Sequence, residues 1–406
     1  MRAYQRFLDY VTIYTTSDPA STSHPTTQRQ FDLARLLVKQ LREMGIEDVT
    51  LDEHCYIYAK IPATPGLEHK PALGFVAHMD TAPAAPGEGV KPQVIANYDG
   101  GDVLLPGSGQ WMTVERFPEL KNWKGQTLIT GDGTTLLGAD DKAGIAEIMT
   151  LAQQLMKGEV AHGPICIGFT PDEEVGQGAD LFDVQRFGAA YAYTVDGGDV
   201  GELEYQNFNA ADATVRIHGF SVHPGSAKGL MKNAQTIAME FAAGLPPLEV
   251  PEHTEGFEGF FHLESMEGDV TAAKLHYIIR DHDRQKFEAR KELLVQLAQR
   301  LNQTHGEGTV ELTMQDNYYN MEEKVKPHFH LVENAAQAIR QAGLEPHIVP
   351  IRGGTDGARL SFMGLPCPNL GTGGFNFHGP CEYITAEKMD KSVEILLNLV
   401  SNYANN

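Results

Sequence analysis

The chain has 406 residues, of which 42% are hydrophobic, and a formal net charge of −22. This length exceeds what one hydrophobic core normally holds, so at least two domains are expected. A strongly acidic surface repels phosphate backbones, which argues against a nucleic-acid-binding protein.

The composition also predicts a cytoplasmic protein that does not enter membranes. The N-terminal residues lack a continuous apolar segment of the export type, and no apolar stretch is long enough to span a bilayer. Cys55, Cys166, Cys367 and Cys381 are scattered without CxxC spacing. We therefore expect reduced thiols, mostly in the core, as is usual in a reducing compartment.

In chain order, the first half predicts helices and buried strands in alternation. Residues 3–14 and 27–44 have helical apolar spacing, and a further helix is predicted from Lys142 to Met156. The segment 83–135 is rich in Gly, Pro and Asp and predicts an extended insertion, a hairpin beside the active site. Buried strands with polar ends are predicted in VTLDEHCYIYAKIP, PALGFVAHMD, ICIGFTPDEE and YAYTVDGG.

This alternation predicts an α/β fold with a mainly parallel mixed sheet covered by helices. Residues 208–320 differ, because strand, helix, strand, strand, helix and strand follow one another, the ferredoxin-like βαββαβ order. We therefore predict a discontinuous catalytic domain, residues 1–207 and 321–406, with 208–320 as an inserted lid domain.

Histidines and carboxylates follow the predicted buried strands. Each has an ordinary explanation by itself, such as a strand end, a helix N-cap or a solvated acidic loop. Together they form a nitrogen and oxygen ligand set that suits zinc, cobalt or manganese in a dinuclear site. In open α/β sheets ligands bind at the carboxyl ends of the strands, where these residues are expected: His78, Asp80, Asp140, Glu173, Glu174, Asp196 and His378.

A series of motifs resembles the peptidase T family of tripeptide aminopeptidases, within the zinc-dependent exopeptidase and aminoacylase superfamily. The resemblance runs from about Tyr14 to His378 and covers nearly the whole chain. It implies the zinc-peptidase fold with an inserted lid. The motifs are HMDTAP, GADDKAG, TPDEEVG, TVDGG, SVHPG, RDHD, RGGTDG and GFNFHG.

The resemblance implies two Zn²⁺ ions per subunit, for which Co²⁺ or Mn²⁺ can substitute. His78 and Asp196 complete one zinc site, Glu174 and His378 complete the other, and Asp140 bridges the two ions. The peptide bond that follows Asp140 is expected to be cis. In related enzymes an aspartate at position 196 accompanies aminopeptidases and dipeptidases, whereas carboxypeptidases and deacylases carry glutamate there.

The remaining implied roles concern catalysis and the substrate, a short peptide. Asp80 orients His78, and Glu173 is the general base. His223, in the lid, reaches an active site to stabilise the oxyanion, and Arg280 and Arg352 hold the terminal carboxylate of the substrate. Ordinary alternatives are a Pro-Gly turn for the histidine and structural salt bridges for the arginines.

Three other interpretations are less well supported. An amidohydrolase could use His328 and His330 as a metal pair, but the repeated units of a barrel are missing around them. A phosphate site at Gly131 and Gly133 lacks the Lys-Ser/Thr pair of a P-loop. A non-catalytic binding module would have lost a ligand or Glu173, and none is missing.

Several properties stay open at this point. A dipeptidase, a carboxypeptidase or an N-acyl amino acid deacylase on the same fold is the alternative function. The sequence does not determine the peptide length limit, the side-chain preference, the metal used in the cell, or whether the chain forms a homodimer through its lid. It also leaves open whether His223 acts in its own or in a partner's active site.

Overall fold

The structure is a computed structural model and describes residues 1–405. Its strands are β1 Asp48–Leu51, β2 Ile57–Ile61, β3 Leu73–His78, β4 Gln93–Ile95, β5 Val103–Leu105, β6 Gln110–Met112, β7 Leu128–Thr130, β8 Ile165–Thr170, β9 Tyr191–Val195, β10 Glu202–Glu204, β11 Asn209–His218, β12 Phe260–Gly268, β13 Ala272–Asp281, β14 Val310–Tyr318, β15 His347–Ile348, β16 Asn369–Leu370, β17 Gly374–Phe375 and β18 Tyr383–Thr385. Its helices are α1 Ala3–Val11, α2 Gln30–Glu43, α3 Ala139–Met156, α4 Val184–Phe187, α5 Ala234–Ala243, α6 Arg284–His305, α7 Glu322–Val325, α8 His330–Gln341, α9 Asp356–Phe362 and α10 Ala386–Asn405.

The chain forms two compact units. The first contains residues 1–205, 323–349 and the segment from Thr355 onwards, and the second contains Gln206–Glu322 with Pro350–Gly354. The short segment that carries Arg352 was expected in the discontinuous catalytic domain, and it packs with the second unit instead.

An eight-stranded mixed sheet lies at the centre of the first unit, in the order β1-β2-β8-β3-β9-β16-β10-β15. The pairs β8–β3, β3–β9, β9–β16 and β10–β15 are parallel, and the others are antiparallel. Every residue of β3 and β8 is buried, because helices cover both faces of the sheet. The expected α/β class with a mainly parallel mixed sheet is confirmed.

Alternate side chains of the central strands pack against different helices. On one face, the Tyr193 hydroxyl donates to the carbonyl of Leu331 in α8 at 2.7 Å and lies 3.0 Å from that of Tyr403 in α10. On the other face, Val76 packs in a cluster with Phe187 of α4. Helices thus pack against the central strands from both faces of the sheet.

The segment 83–135 contains the predicted hairpin, β5 with β6, and also contributes to a small sheet of order β17-β18-β7-β4. In this sheet Tyr383 of β18 is paired with Thr130 of β7. The small sheet thus joins β7, shortly before α3, to β18, directly before α10.

The second unit contains a four-stranded antiparallel sheet of order β12-β13-β11-β14. Its elements follow the predicted strand, helix, strand, strand, helix, strand order. Buried and more exposed residues alternate along β11 and β13, since α5 and α6 cover one face. This unit has its own hydrophobic core.

None of the helices in residues 1–405 combines the length and the apolar composition needed to cross a membrane. The four cysteines are free thiols. His328 and His330 both pack against the ring of Tyr191, with ring centroids 5.4 Å and 4.8 Å away, which fits the interpretation of these histidines as packing residues.

Candidate metal centre

Three adjacent parallel strands end at the same edge of the large sheet and carry the first part of the site. His78 is the last residue of β3, Glu173 and Glu174 follow β8, and Asp196 directly follows β9. Parallel strands point their carboxyl ends to one edge, so these side chains converge there although they are far apart in sequence.

Asp140 lies in the irregular first turn of α3, which follows β7 in the chain. It and Asp141 have non-helical backbone angles, and the peptide bond between them is cis, as expected. Regular helix therefore begins at the predicted residue, Lys142. A Cβ atom on Gly144 would lie 1.9 Å from the carbonyl oxygen of Val195, so only glycine allows α3 to pass this close to the end of β9.

The two predicted histidine ligands lie on opposite oxygens of the Asp140 carboxylate. His78 Nε2 is 2.9 Å from Oδ1, and His378 Nε2 is 3.1 Å from Oδ2. His378 Nε2 also lies 3.0 Å from Oε2 of Glu174, and His78 Nε2 lies 3.7 Å from Oδ1 of Asp196. The five predicted ligands thus form one continuous cluster with Asp140 at its centre.

Asp80 links the ring of His78 to the loop after β8. His78 Nδ1 lies 3.1 Å from the backbone oxygen of Asp80 and 3.3 Å from its Oδ1. The same carboxylate accepts the backbone N–H groups of Glu173 at 3.0 Å and of Glu174 at 3.2 Å. This position suits a residue that orients a ligating imidazole through its second nitrogen.

The electrostatics of the cluster are those of crowded carboxylates. Burial is the largest cause that raises the pKa of Glu173 and of Asp196 well above their usual values, and it also raises the pKa of Glu174. Hydrogen bonds to Asp140 and then to Glu174 raise the pKa of His378 to about 10. Like charges buried together require cations to offset their repulsion.

The donor set fits divalent metal ions. Two overlapping groups, His78 with Asp140 and Glu174, and His78 with Asp141 and Asp196, have candidate ligand atoms within 4.8 Å of one another. Oε1 of Glu174 is buried without a hydrogen-bond partner among residues 1–405. In the same described residues, Asp140, Glu174 and Asp196 form ion pairs with histidines only.

Asp141 is better explained as a backbone anchor than as a ligand. Its carboxylate accepts the backbone N–H of His78 at 3.2 Å and that of Gly144 at 3.3 Å. The neighbouring Asp140 has one oxygen 2.9 Å from His78 Nε2 and the other 3.1 Å from His378 Nε2, so it is better placed than Asp141 to contact two ions.

The other predicted residues, His223, Arg280 and Arg352, belong to the second unit. His223 is exposed, and its Nδ1 accepts the backbone N–H of Gly225 at 3.1 Å. Arg280 donates to the backbone oxygens of Ala211 and Ile279.

Arg352 is engaged by a loop of its own unit. Its two terminal nitrogens donate to the backbone oxygens of Thr254, Gly256 and Glu258 and to the hydroxyl of Thr254. Binding a substrate carboxylate would therefore require this guanidinium to exchange existing hydrogen bonds.

Three buried carboxylates near the centre were not assigned a role from the sequence. Asp356 accepts the hydroxyl of Thr170 at 2.7 Å, at the end of β8. Asp172 accepts the backbone N–H of Thr26 and the side-chain amide of Gln30, both at 2.7 Å.

Glu382 is the third, and it accepts backbone N–H groups from the loop before α3. Asp172 and Asp356 lie inside the quoted TPDEEVG and RGGTDG motifs, and Glu382 comes four residues after His378. An acidic residue next to a ligand motif was the only local signal for any of the three.

The amino-acid sequence matches one protein family and many of its members. The model of peptidase family M20/M25/M40 matches residues 119–402. Peptidase T of Alkaliphilus oremlandii (strain OhILAs) is 54% identical over 403 residues, which cover 98% of this chain and 98% of the relative. Peptidase T of Geobacillus kaustophilus (strain HTA426) is 53% identical over 398 residues, which cover 98% and 97%.

The fold also has a close counterpart among solved structures. The crystal structure of aminopeptidase PepT from Bacillus cereus ATCC 10987 superposes with a TM-score of 0.78, covering 99% of this chain and 98% of that chain. The sequence identity in this superposition is 24%, so the likeness concerns the fold.

Proposed function

This chain belongs to peptidase family M20/M25/M40 and is a peptidase, and we propose that it is a two-zinc aminopeptidase that releases the N-terminal residue of tripeptides. The observation that carries the proposal is the Asp140 carboxylate, with a histidine nitrogen 2.9 Å from one oxygen and another 3.1 Å from the other. A carboxylate in this setting is suited to join two cations.

The proposed ligands are those predicted from the sequence. His78 and Asp196 would hold one ion, Glu174 and His378 would hold the other, and Asp140 would contribute to both sites. Imidazole nitrogens with carboxylate oxygens suit zinc, and Co²⁺ or Mn²⁺ can replace it. When bound, the ions would supply a Lewis acid and would lower the pKa of a water molecule toward neutrality.

In this proposal Glu173 moves the protons of the reaction. Its backbone is fixed by Asp80 at 3.0 Å, while its carboxylate has no hydrogen-bond partner within residues 1–405. Burial raises its pKa above the usual value, which suits a general base near neutral pH. Glu173 accepts the proton of the attacking water and then delivers it to the nitrogen of the leaving peptide.

Residues of the second unit complete the proposal. His223 donates to the oxyanion that develops on the scissile carbonyl, and Arg280 and Arg352 bind the substrate carboxylate as forked donors. The segment 208–320 then acts as a lid and is also the candidate surface for a homodimer. A cytoplasmic location is consistent with the free thiols of the chain.

The substrate class is tested with matched peptides. Hydrolysis rates are measured on a di-, tri- and tetrapeptide of related sequence, each with a free and with an acetylated N-terminus. The proposal predicts the highest kcat/KM for the free tripeptide, release of its first residue, and strong loss of rate on acetylation. Release of the C-terminal residue, or faster cleavage of the acetylated form, would instead indicate a carboxypeptidase or a deacylase.

A further inference from the structure

Glu382 is a buried carboxylate that binds the backbone of the segment carrying Asp140. Its side chain is only 1% exposed, and it lies between β17 and β18, four residues after His378. Oε2 accepts the N–H groups of Leu137 at 2.7 Å and Gly138 at 2.8 Å, and Oε1 accepts the N–H of Asp140 at 3.0 Å.

A carboxylate buried this deeply is costly unless its charge is compensated. Among residues 1–405, Glu382 forms no ion pair, and the nearby ammonium group of Lys142 donates instead to the carbonyl oxygen of Ile13 at 2.7 Å. Three backbone N–H groups of the short segment 137–140 donate to Glu382 and offset part of this cost, and hydrogen bonds to a charged acceptor are strong.

The contact has a geometric consequence for the candidate metal centre. The segment 137–140 meets the segment 378–382 at two places, through Glu382 and through the 3.1 Å approach of His378 Nε2 to Asp140 Oδ2. Asp140 and His378 are both proposed metal ligands. By binding the backbone of Asp140, Glu382 therefore holds these two ligands close together before any ion binds.

We infer that Glu382 is a positioning residue that preorganises the two-ion site by clamping the backbone of Asp140 to the loop of His378. The inference rests on the proposed function, since it concerns how that metal centre is held. Residues that orient metal ligands from outside typically change metal affinity by about 10–100-fold when they are replaced.

The chain offers a matched control in Glu147. It is also fully buried, lies on α3, and accepts a hydrogen bond from Ser392 rather than from the segment 137–140. Glu147→Gln and Glu382→Gln thus each replace a buried carboxyl group with an amide, but only Glu382→Gln changes an acceptor of the 137–140 backbone N–H groups.

The test compares full-length wild type, Glu382→Gln and Glu147→Gln. Each apoprotein is titrated with Zn²⁺ against a coloured competing chelator, its circular dichroism is recorded, and the visible spectrum of the Co²⁺-loaded form is measured. We expect Glu382→Gln to fold, to bind zinc about 10–100-fold more weakly, and to show a changed Co²⁺ spectrum. Glu147→Gln should match wild type in both metal readouts.

Unchanged zinc affinity together with an unchanged Co²⁺ spectrum in folded Glu382→Gln would overturn the inference. If that variant does not fold, Glu382→Asp, which keeps the charge but shortens the reach, is judged by the same criteria. Failure of both to fold would make Glu382 a purely structural residue and also overturn it.

The wild-type titration separates this inference from the proposed function. A single bound ion per wild-type chain would refute the two-zinc function, yet the same comparison of Glu382→Gln with wild type on that ion would still decide the positioning role. Absence of metal binding in the wild type would refute both.

Discussion

Replacing Glu147 by glutamine should produce a gain in stability that grows with pH. Oε2 of Glu147 accepts the hydroxyl of Ser392 at 2.5 Å, and Oε1 is buried without a partner in the described residues. Burial is the main reason that the pKa of Glu147 is well above its usual value, and the charge of Asp390 adds to it. As the pH rises, the carboxyl group of Glu147 therefore keeps its proton longer in the folded protein than in the unfolded chain.

Proton linkage determines how the free energy of unfolding changes with pH. The unfolded glutamate ionises above about pH 4.3, so the stabilising contribution of the neutral folded form is complete below that pH. Above it, wild type loses about 1.4 kcal/mol per pH unit until the pH reaches the folded-state pKa. The glutamine side chain in Glu147→Gln is neutral at every pH, so this variant does not lose stability in this way.

The assay is urea unfolding of wild type and Glu147→Gln at pH 5, 6 and 7 in one buffer system. The free energy of unfolding of Glu147→Gln minus that of wild type should rise from pH 5 to pH 7, by up to about 1.4 kcal/mol for each pH unit. Glu159→Gln, at an exposed position three residues after the end of α3, serves as the control and should parallel wild type. Parallel curves for Glu147→Gln and wild type would refute the reasoning about the buried carboxyl group.

Three predictions concern the active site. Glu173→Gln should keep its bound metal and lower kcat by about 10²–10⁴-fold, the usual range for a general base. A near-normal kcat in steady-state assays would remove Glu173 from that role. Asp140→Ala should lose both ions because the bridging ligand is gone, and elemental analysis showing full occupancy would contradict the bridge. His223→Ala should lower kcat by about 10²–10³-fold, as for other oxyanion donors, with little change in KM or metal content. An unchanged kcat in a fully metallated sample would limit His223 to a structural role.

The strand-end residues could be predicted because their signal is local. A run of buried residues such as Leu73–Ala77 followed by His78 shows where a strand ends and where its functional side chain begins. Parallel strands then bring such ends together without any further information. The start of regular helix at Lys142, after two adjacent aspartates, was also visible in the local pattern.

Long-range contacts of single side chains could not be predicted in this way. The clamp of Glu382 on Gly138 joins residues 244 positions apart, through a small sheet whose strands have only two or three residues. Arg352 shows the same limit, because nothing near it in sequence indicates that its guanidinium binds the loop around Gly256. Such contacts depend on how short segments fold back, and periodicity carries no information about that.

The central claim, a cluster of five ligands that holds two catalytic ions, is tested most directly by titrating metal-free protein with Zn²⁺. Bound metal and tripeptide hydrolysis are measured in the same samples at each addition. The geometry around Asp140 predicts that activity reaches its maximum when about two ions are bound per chain. Full activity with one ion bound, or in metal-free protein, would contradict the account.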